Sequence, residues 1–392
     1  MKINYIKVFL LTTIAVITLT GCCFNSFSAN LNYDLAEKYF EEGNYNQAIK
    51  YYNEVLEARP KDFKTYNKLG LAYYYKEDYN KAIECFKKAI SFDATFYESY
   101  GNIGMSYHAL QKYANAIDYY NKYIEIDPKN SEIYNKLGSS LIEFGNVEDA
   151  MTNFNKAIEL DPKNASAHLN LGKANKTLEE YDKAIENFEA ALSLNSELYD
   201  AYYSLGTIYQ LKDNIKLSLE NLEKAFALKD TDANLYSALC YSYCKKGDYD
   251  QAIQNCKKAI TIDPEVVSSY ENMALTYLNK KEYDKAIEFY SKAISMDSEH
   301  FDSHYNLGLA YLEEKNPEAA LEAFKQALTL KTDDAMTYYN LGLAYMKVKD
   351  SNNAIDNLIQ AKTLEPDLTD KVQKEINNIL TNPVNNLFIQ IW

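Results

Sequence analysis

Every 34 residues from Gly70 the chain returns to a small side chain, at Gly104, Gly138, Gly172, Gly206, Cys240, Ala274, Gly308 and Gly342, and at Ala36 one step back. A fixed period of this length constrains the fold before any element is assigned. Each period must be one supersecondary unit that shares its core with the next. Over 63–96, Tyr66, Leu69 and Tyr73 fall at i, i+3 and i+7, and Ala82, Phe86 and Ala89 at i, i+4 and i+7, so each set marks one face of a helix. Between them Lys76, Glu77, Asp78 and Tyr79 make a short polar turn, which leaves the two helices antiparallel. Each helix has about 13 residues and spans about 20 Å. Gly70, Ala82 and Ala89 are close-approach positions, where two helices come within about 8 to 9 Å. Proline recurs after the second helix at Pro60, Pro128, Pro162, Pro264 and Pro366 and turns the preceding residue away from helical geometry. One such hairpin cannot bury its apolar face alone, so neighbours must stack into an all-α solenoid.

The unit has an aromatic at its fourth position (Tyr66, Tyr100, Tyr134, Tyr202, Tyr236, Tyr270, Tyr338), Leu-Gly at the seventh and eighth, Tyr at the eleventh and Ala at the twentieth. It resembles the tetratricopeptide repeat (TPR) family. The resemblance covers ten repeats, 29–62, 63–96, 97–130, 131–164, 165–198, 199–232, 233–266, 267–300, 301–334 and 335–368, and implies a right-handed TPR superhelix read as one elongated domain. Departures fall at His168 and His304 (fourth position), Leu141 and Asn175 (eleventh), Ser218 (twentieth) and Asn32 in repeat 1, and those repeats are expected to pack more loosely. After repeat 10, Leu368, Val372, Ile376 and Ile379 share one helical face, which predicts a capping helix over 369–381. Asn382-Pro383 ends it. The apolar tail 382–392, with Trp392, has two readings: docked on the cap or in the groove of repeats 9 and 10, or a frayed end without a role.

Residues 1–21 read as a secretory signal, with Lys2 and Lys7 as a basic start and an apolar run from Val8 to Leu19. That run is too short to span a bilayer. Leu19-Thr20-Gly21-Cys22 resembles the bacterial lipobox, which implies cleavage before Cys22 and lipidation of its thiol; the alternative is an ordinary signal with an incidental cysteine. Residues 22–28 would be the tether, reaching at most about 25 Å. The expected location is the periplasmic or cell-surface side of a bacterial membrane. Loss of residues 1–21 removes two lysines and no acid, taking the net charge from −15 to −17. So acidic a chain repels phosphate backbones and anionic headgroups, which excludes nucleic acid as a partner and leaves the membrane to the lipid.

In the family, positions 2, 5, 9, 12 and 13 of the first helix line the inner groove. Carried over, repeats 4 to 6 are mostly polar there: Asn135, Ser139, Glu143, Ser166, Lys173, Lys176, Thr177, Asp200, Thr207 and Gln210. Repeats 8 to 10 are apolar, with Leu275, Leu278, Leu309, Leu312, Leu343 and Met346 in two ladders beside Tyr305 and Tyr339; Leu71, Tyr74 and Tyr75 form a smaller patch in repeat 2. Two readings stand. The strip is a contact site for an extended or helical segment of another protein, or part of it is interhelix packing. Asn67 and Asn135 occupy fifth positions, but no ninth position is Asn, so the carboxylate-gripping arrangement of some relatives is missing.

Among the cysteines past the anchor region, Cys85, Cys240, Cys244 and Cys256, the last three read as small buried hydrophobes or too few ligands for zinc. His300 and His304 are four apart, with His300 in the inter-repeat turn and His304 in a core slot. No phosphate loop, nucleophile elbow or HExxH motif occurs, so neither catalytic residue, metal, cofactor nor small-molecule substrate is expected. The expectation is a non-enzymatic scaffold that assists assembly of an envelope complex. The alternatives are the TPR part of an O-linked glycosyltransferase system, disfavoured because about 24 residues follow repeat 10 where a catalytic domain needs 50 or more, and a cytosolic adaptor if the signal is misread.

Overall fold

The computed structural model describes residues 28–381. The signal 1–21, Cys22 with most of the tether, and the tail 382–392 lie outside them. Among the described residues all regular structure is helical, with no strand, and it comes in repeated pairs. The chain divides at Ser196 and Glu197 into two compact units.

The N-terminal unit holds α1 (28–41), α2 (Tyr45–Ala58), α3 (Phe63–Tyr75), α4 (Tyr79–Phe92), α5 (Tyr97–Ala109), α6 (Tyr113–Ile126), α7 (Ser131–Phe144), α8 (Val147–Leu160), α9 (Ala165–Thr177) and α10 (Tyr181–Leu194). The C-terminal unit holds α11 (Tyr199–Leu211), α12 (Ile215–Leu228), α13 (Ala233–Lys246), α14 (Tyr249–Ile262), α15 (Val267–Asn279), α16 (Tyr283–Met296), α17 (Phe301–Glu314), α18 (Pro317–Leu330), α19 (Ala335–Lys347), α20 (Ser351–Leu364) and, after a 3₁₀ turn at Pro366–Leu368, α21 (Thr369–Thr381). Within each unit odd and even helices pair as hairpins, and each hairpin stacks on the next, the arrangement of an α-solenoid. The last helix is the cap: Leu368, Val372, Ile376 and Ile379 are buried against Leu358 and Ala361 of α20.

The local rules repeat with the period. Asp or Asn caps start most helices, as where Asp62 accepts from the Lys64 and Thr65 amides and Asn146 from the Asp149 amide. Every turn inside a hairpin passes through the left-handed region at one residue, from Gly43 in repeat 1 to Lys349 in repeat 10, and only Gly43, Gly145 and Gly247 among them are glycine. The eighth-position small residue faces the side chain sixteen residues on: a Cβ on Gly70 would sit 2.5 Å from the Phe86 ring, and one on Gly138 2.5 Å from Phe154.

Repeat 7 corrects the reading of its cysteines. Cys240 and Cys256 occupy this same pair of positions and form a disulfide with Cα atoms 5.3 Å apart, while Cys244 is a free buried thiol. Two helices close enough to demand a missing side chain are also close enough for two short thiols to meet. The histidines at the fourth position keep one bond that tyrosine makes there, although His168 Nδ1 is buried with no partner among the described residues. His168 Nε2 lies 3.3 Å from the Pro162 carbonyl and His304 Nε2 3.0 Å from that of Ser298, the bond to the carbonyl six residues back that Tyr100 and Tyr338 make with Ala94 and Thr332. Asn175 also carries a weakness: it is buried and its Oδ1 has no hydrogen-bond partner among the described residues.

Candidate binding groove on the first helices

In the C-terminal unit two adjoining cavities open on the face made by the first helices. The larger, about 570 Å³, is lined by Tyr203, Thr207, Gln210 and Leu211 of α11, Asn234, Ser237 and Tyr241 of α13, and Ser268 and Asn272 of α15. The smaller, about 340 Å³, takes Tyr241 and Lys245 of α13, Glu271, Asn272 and Leu275 of α15, Tyr290 of α16, and His300, Asp302, Ser303 and Asn306 at the start of α17. Tyr241 and Asn272 belong to both, so the two form one run across repeats 6 to 9. Apart from Asn272 and Asn306 at the sixth position and Ser303 at the third, the first-helix residues named here stand where the family resemblance puts the inner face.

The sixth position escaped the sequence reading, and its signal is an Asn recurring in register at 102, 170, 272, 306 and 340. It ties successive first helices together. Asn272 Nδ2 donates to Ser237 Oγ at 3.0 Å and to its carbonyl at 3.1 Å, and Asn340 Nδ2 to Tyr305 Oη at 3.0 Å. In the N-terminal unit Asn102 and Asn170 donate to Asn67 and Asn135 Oδ1, both at 2.9 Å. Gln210 does the same from α11, donating to Ser242 Oγ at 2.8 Å and the Ala238 carbonyl at 2.7 Å. These bonds hold the floor of the groove in one arrangement, so that a ligand meets preset donors and acceptors.

Of the predicted ladder, Leu275 lines a cavity. Leu278 is half-buried on the core around Met273 and Tyr277, Tyr305, Leu309 and Leu312 on that around Phe324 and Leu341, and Tyr339 and Met346 on the cap core; Leu343 is half-buried too. Each therefore divides its surface between packing and solvent. In the N-terminal unit Leu71 and Tyr74 pack on Phe86 and Ile103, whereas Tyr75 is 52% exposed, stacked on Tyr45 at 5.6 Å and edge-on to Phe40 at 5.6 Å. Also in that unit, a cavity of about 610 Å³ lies against α4, lined by Tyr66, Tyr73, Lys81, Cys85 and Lys88. Burial pushes the Cys85 thiol up to about 12, with Glu84 and Asp78 adding to it, which leaves no thiolate for chemistry near neutral pH.

The smaller cavity of the C-terminal unit holds the more unusual chemistry. Glu271 Oε1 accepts from His300 Nδ1 and from Ser303 Oγ, the latter at 2.5 Å, and His300 Nδ1 lies 3.3 Å from Ser303 Oγ. Serine and carboxylate thus share one ring nitrogen, whereas a Ser-His-acid triad needs them on opposite nitrogens. The cluster ties α15 to the start of α17. Tyr290, in contrast, is 1% exposed and its hydroxyl has no hydrogen-bond partner among the described residues. Burial, reinforced by Cys244, Glu271 and Asp302, pushes its ionisation far up, so it stays a neutral phenol. Among the described residues no three His, Cys, Asp or Glu side chains gather as a metal site requires, and no helix is long and apolar enough to cross a membrane.

Family models described as tetratricopeptide repeat match residues 27–94, 97–130, 119–152, 165–198, 199–232, 231–299, 265–333 and 336–368, and one described as TPR repeat matches 138–178. No curated protein sequence matches significantly. Among solved structures, the APC/C hetero-tetramer Cut9-Hcn1 aligns at 16% identity and TM-score 0.55 over 89% of this chain and 90% of that one, a likeness of fold. YrrB, a TPR protein with an unusual peptide-binding site, aligns at 28% identity and TM-score 0.42 over 47% of this chain and 95% of its own. Yeast Tom70 aligns at 16% identity and TM-score 0.44 over 94% of this chain and 100% of that one. With successive family matches running through nearly all of 27–368, the chain belongs to the tetratricopeptide repeat family.

Proposed function

We propose that the protein is a TPR scaffold which holds an extended segment of another protein along the first helices of its repeats. It does so on the exported side of a bacterial membrane, where lipid on Cys22 anchors it and where it helps assemble an envelope complex. The observation that carries the binding part is the run of two cavities across repeats 6 to 9, lined from successive first helices and floored by fixed amide and hydroxyl groups. The Cys240–Cys256 disulfide supports export, because such pairs persist in oxidising compartments. The basic start, apolar run and Leu19-Thr20-Gly21-Cys22 support the anchor.

A photoreactive residue at Thr207 or Leu275 should crosslink one partner in cells, and one at Gln254 on the exposed side of α14 should not; equal yields at all three sites would remove the groove. Leu309→Glu with Leu343→Glu tests whether the apolar ladder extends the site, with loss of the crosslinked partner expected. Incorporation of a labelled fatty acid into the wild type and its absence in Cys22→Ser is the outcome expected of the anchor, and equal labelling would contradict it.

A further inference from the structure

We propose that the smaller cavity, between α13, α15 and α17, receives an arginine side chain of the bound segment; this rests on the groove reading above and names its chemistry. Three acceptor-bearing side chains line it. Glu271 takes both of its protein hydrogen bonds on Oε1, leaving Oε2 for a ligand. Asp302 stands exposed at the first turn of α17 and lines the same space. Tyr290 lines it too, with a buried hydroxyl that has no partner among the described residues, whereas buried polar groups ordinarily have one.

A guanidinium fits this set because it is planar, donor-only and forked, with five N–H groups to offer to carboxylate and phenol acceptors. The amides of Asn272 and Asn306 line the same space as further polar neighbours. The cations nearby are otherwise occupied: Lys245 Nζ sits over the Tyr241 ring at 5.6 Å, and Lys331 is paired with Asp334 at 3.0 Å. An acidic chain carrying 56 Asp and Glu against 41 Lys and Arg also draws a basic segment toward the groove.

The test is selection of a random twelve-residue peptide library on the full protein, followed by affinity measurements on a selected peptide and on its copies with arginine replaced by neutral citrulline or by lysine. Arginine should dominate one position, and citrulline there should weaken binding about 10- to 100-fold, the range of charged hydrogen bonds. Lysine should recover part of the loss. In Tyr290→Phe and in Glu271→Gln with Asp302→Asn the arginine-to-citrulline ratio should fall toward one. Because the Tyr290 hydroxyl bonds nothing among the described residues, Tyr290→Phe should do this without lowering the melting temperature, which separates ligand binding from a folding role. Peptides that bind without an arginine preference, or a ratio unchanged in both variants, would overturn this inference and leave the groove standing. If no peptide is enriched, the groove reading and this inference fail together.

Discussion

Lys315 sits at φ 68° and ψ 34°, where a side chain is out of place, yet the hairpin of repeat 9 cannot turn without that geometry. Gly145 and Gly247 meet the same demand without strain in repeats 4 and 7. Lys315→Gly should therefore raise stability by about 0.5 to 1 kcal/mol, seen as a later denaturation midpoint, and a loss would contradict this account of the turn. His108 gives a prediction in pH. Burial holds its imidazole below the ordinary value, against a pull upward from Glu143 and with a further push down from Lys136. The unfolded chain takes up this proton first. Stability from the group is then intact above about pH 6.5 and is lost as pH falls from there through the folded value. Unfolding of the N-terminal unit should become easier between about pH 7.5 and about pH 5.5. His108→Gln, which can keep a bond to Ser140 (2.8 Å from Nδ1), should flatten that trend, and an unchanged slope would assign it elsewhere. Neither feature was legible in the sequence, because a turn's dihedral and a side chain's burial depend on how the next element closes over it. The helical faces were legible, because the period repeats the same contact ten times.

At the scale of the element, the eighth and twenty-fourth positions explain both the success of the sequence reading and its main error. Small residues at the eighth position were read as close approaches, and the rings of Phe86, Phe154, Phe188 and Phe324 do lie on their glycines. The twenty-fourth position is its partner, and Cys240 and Cys256, sixteen apart across a turn, are bonded there although the sequence alone presents them as separate core residues. The signal was present: wherever other repeats put glycine against a ring, repeat 7 puts cysteine against cysteine. A bond closing a loop of this size contributes about 3 kcal/mol by constraining the unfolded chain. In a repeat array that contribution stays near its own hairpin. Cys240→Ala with Cys256→Ala should speed amide exchange in α13 and α14 far more than in α19 and α20, and uniform or unchanged exchange would show that the bond does not hold the hairpin.

At the scale of the molecule, the family resemblance puts the first helix of each pair on the inner face, and in the C-terminal unit two cavities open on the face made by those helices. Hydrophobicity points to repeats 8 to 10, and the two cavities lie across repeats 6 to 9, lined mostly by polar residue types with Leu275 of the ladder among them. The difference is physical. Tyr305, Leu309 and Leu312 spend part of their surface on the core around Phe324 and Leu341, while Ser237, Asn272 and Leu275 line the cavities. The measurement that tests the central claim most directly is amide exchange across the full protein with and without a saturating selected peptide. The account predicts slowed exchange in α11, α13, α15 and α17 with α12 and α14 little changed. Protection confined to the second helices, or none anywhere while the peptide is bound, would contradict it.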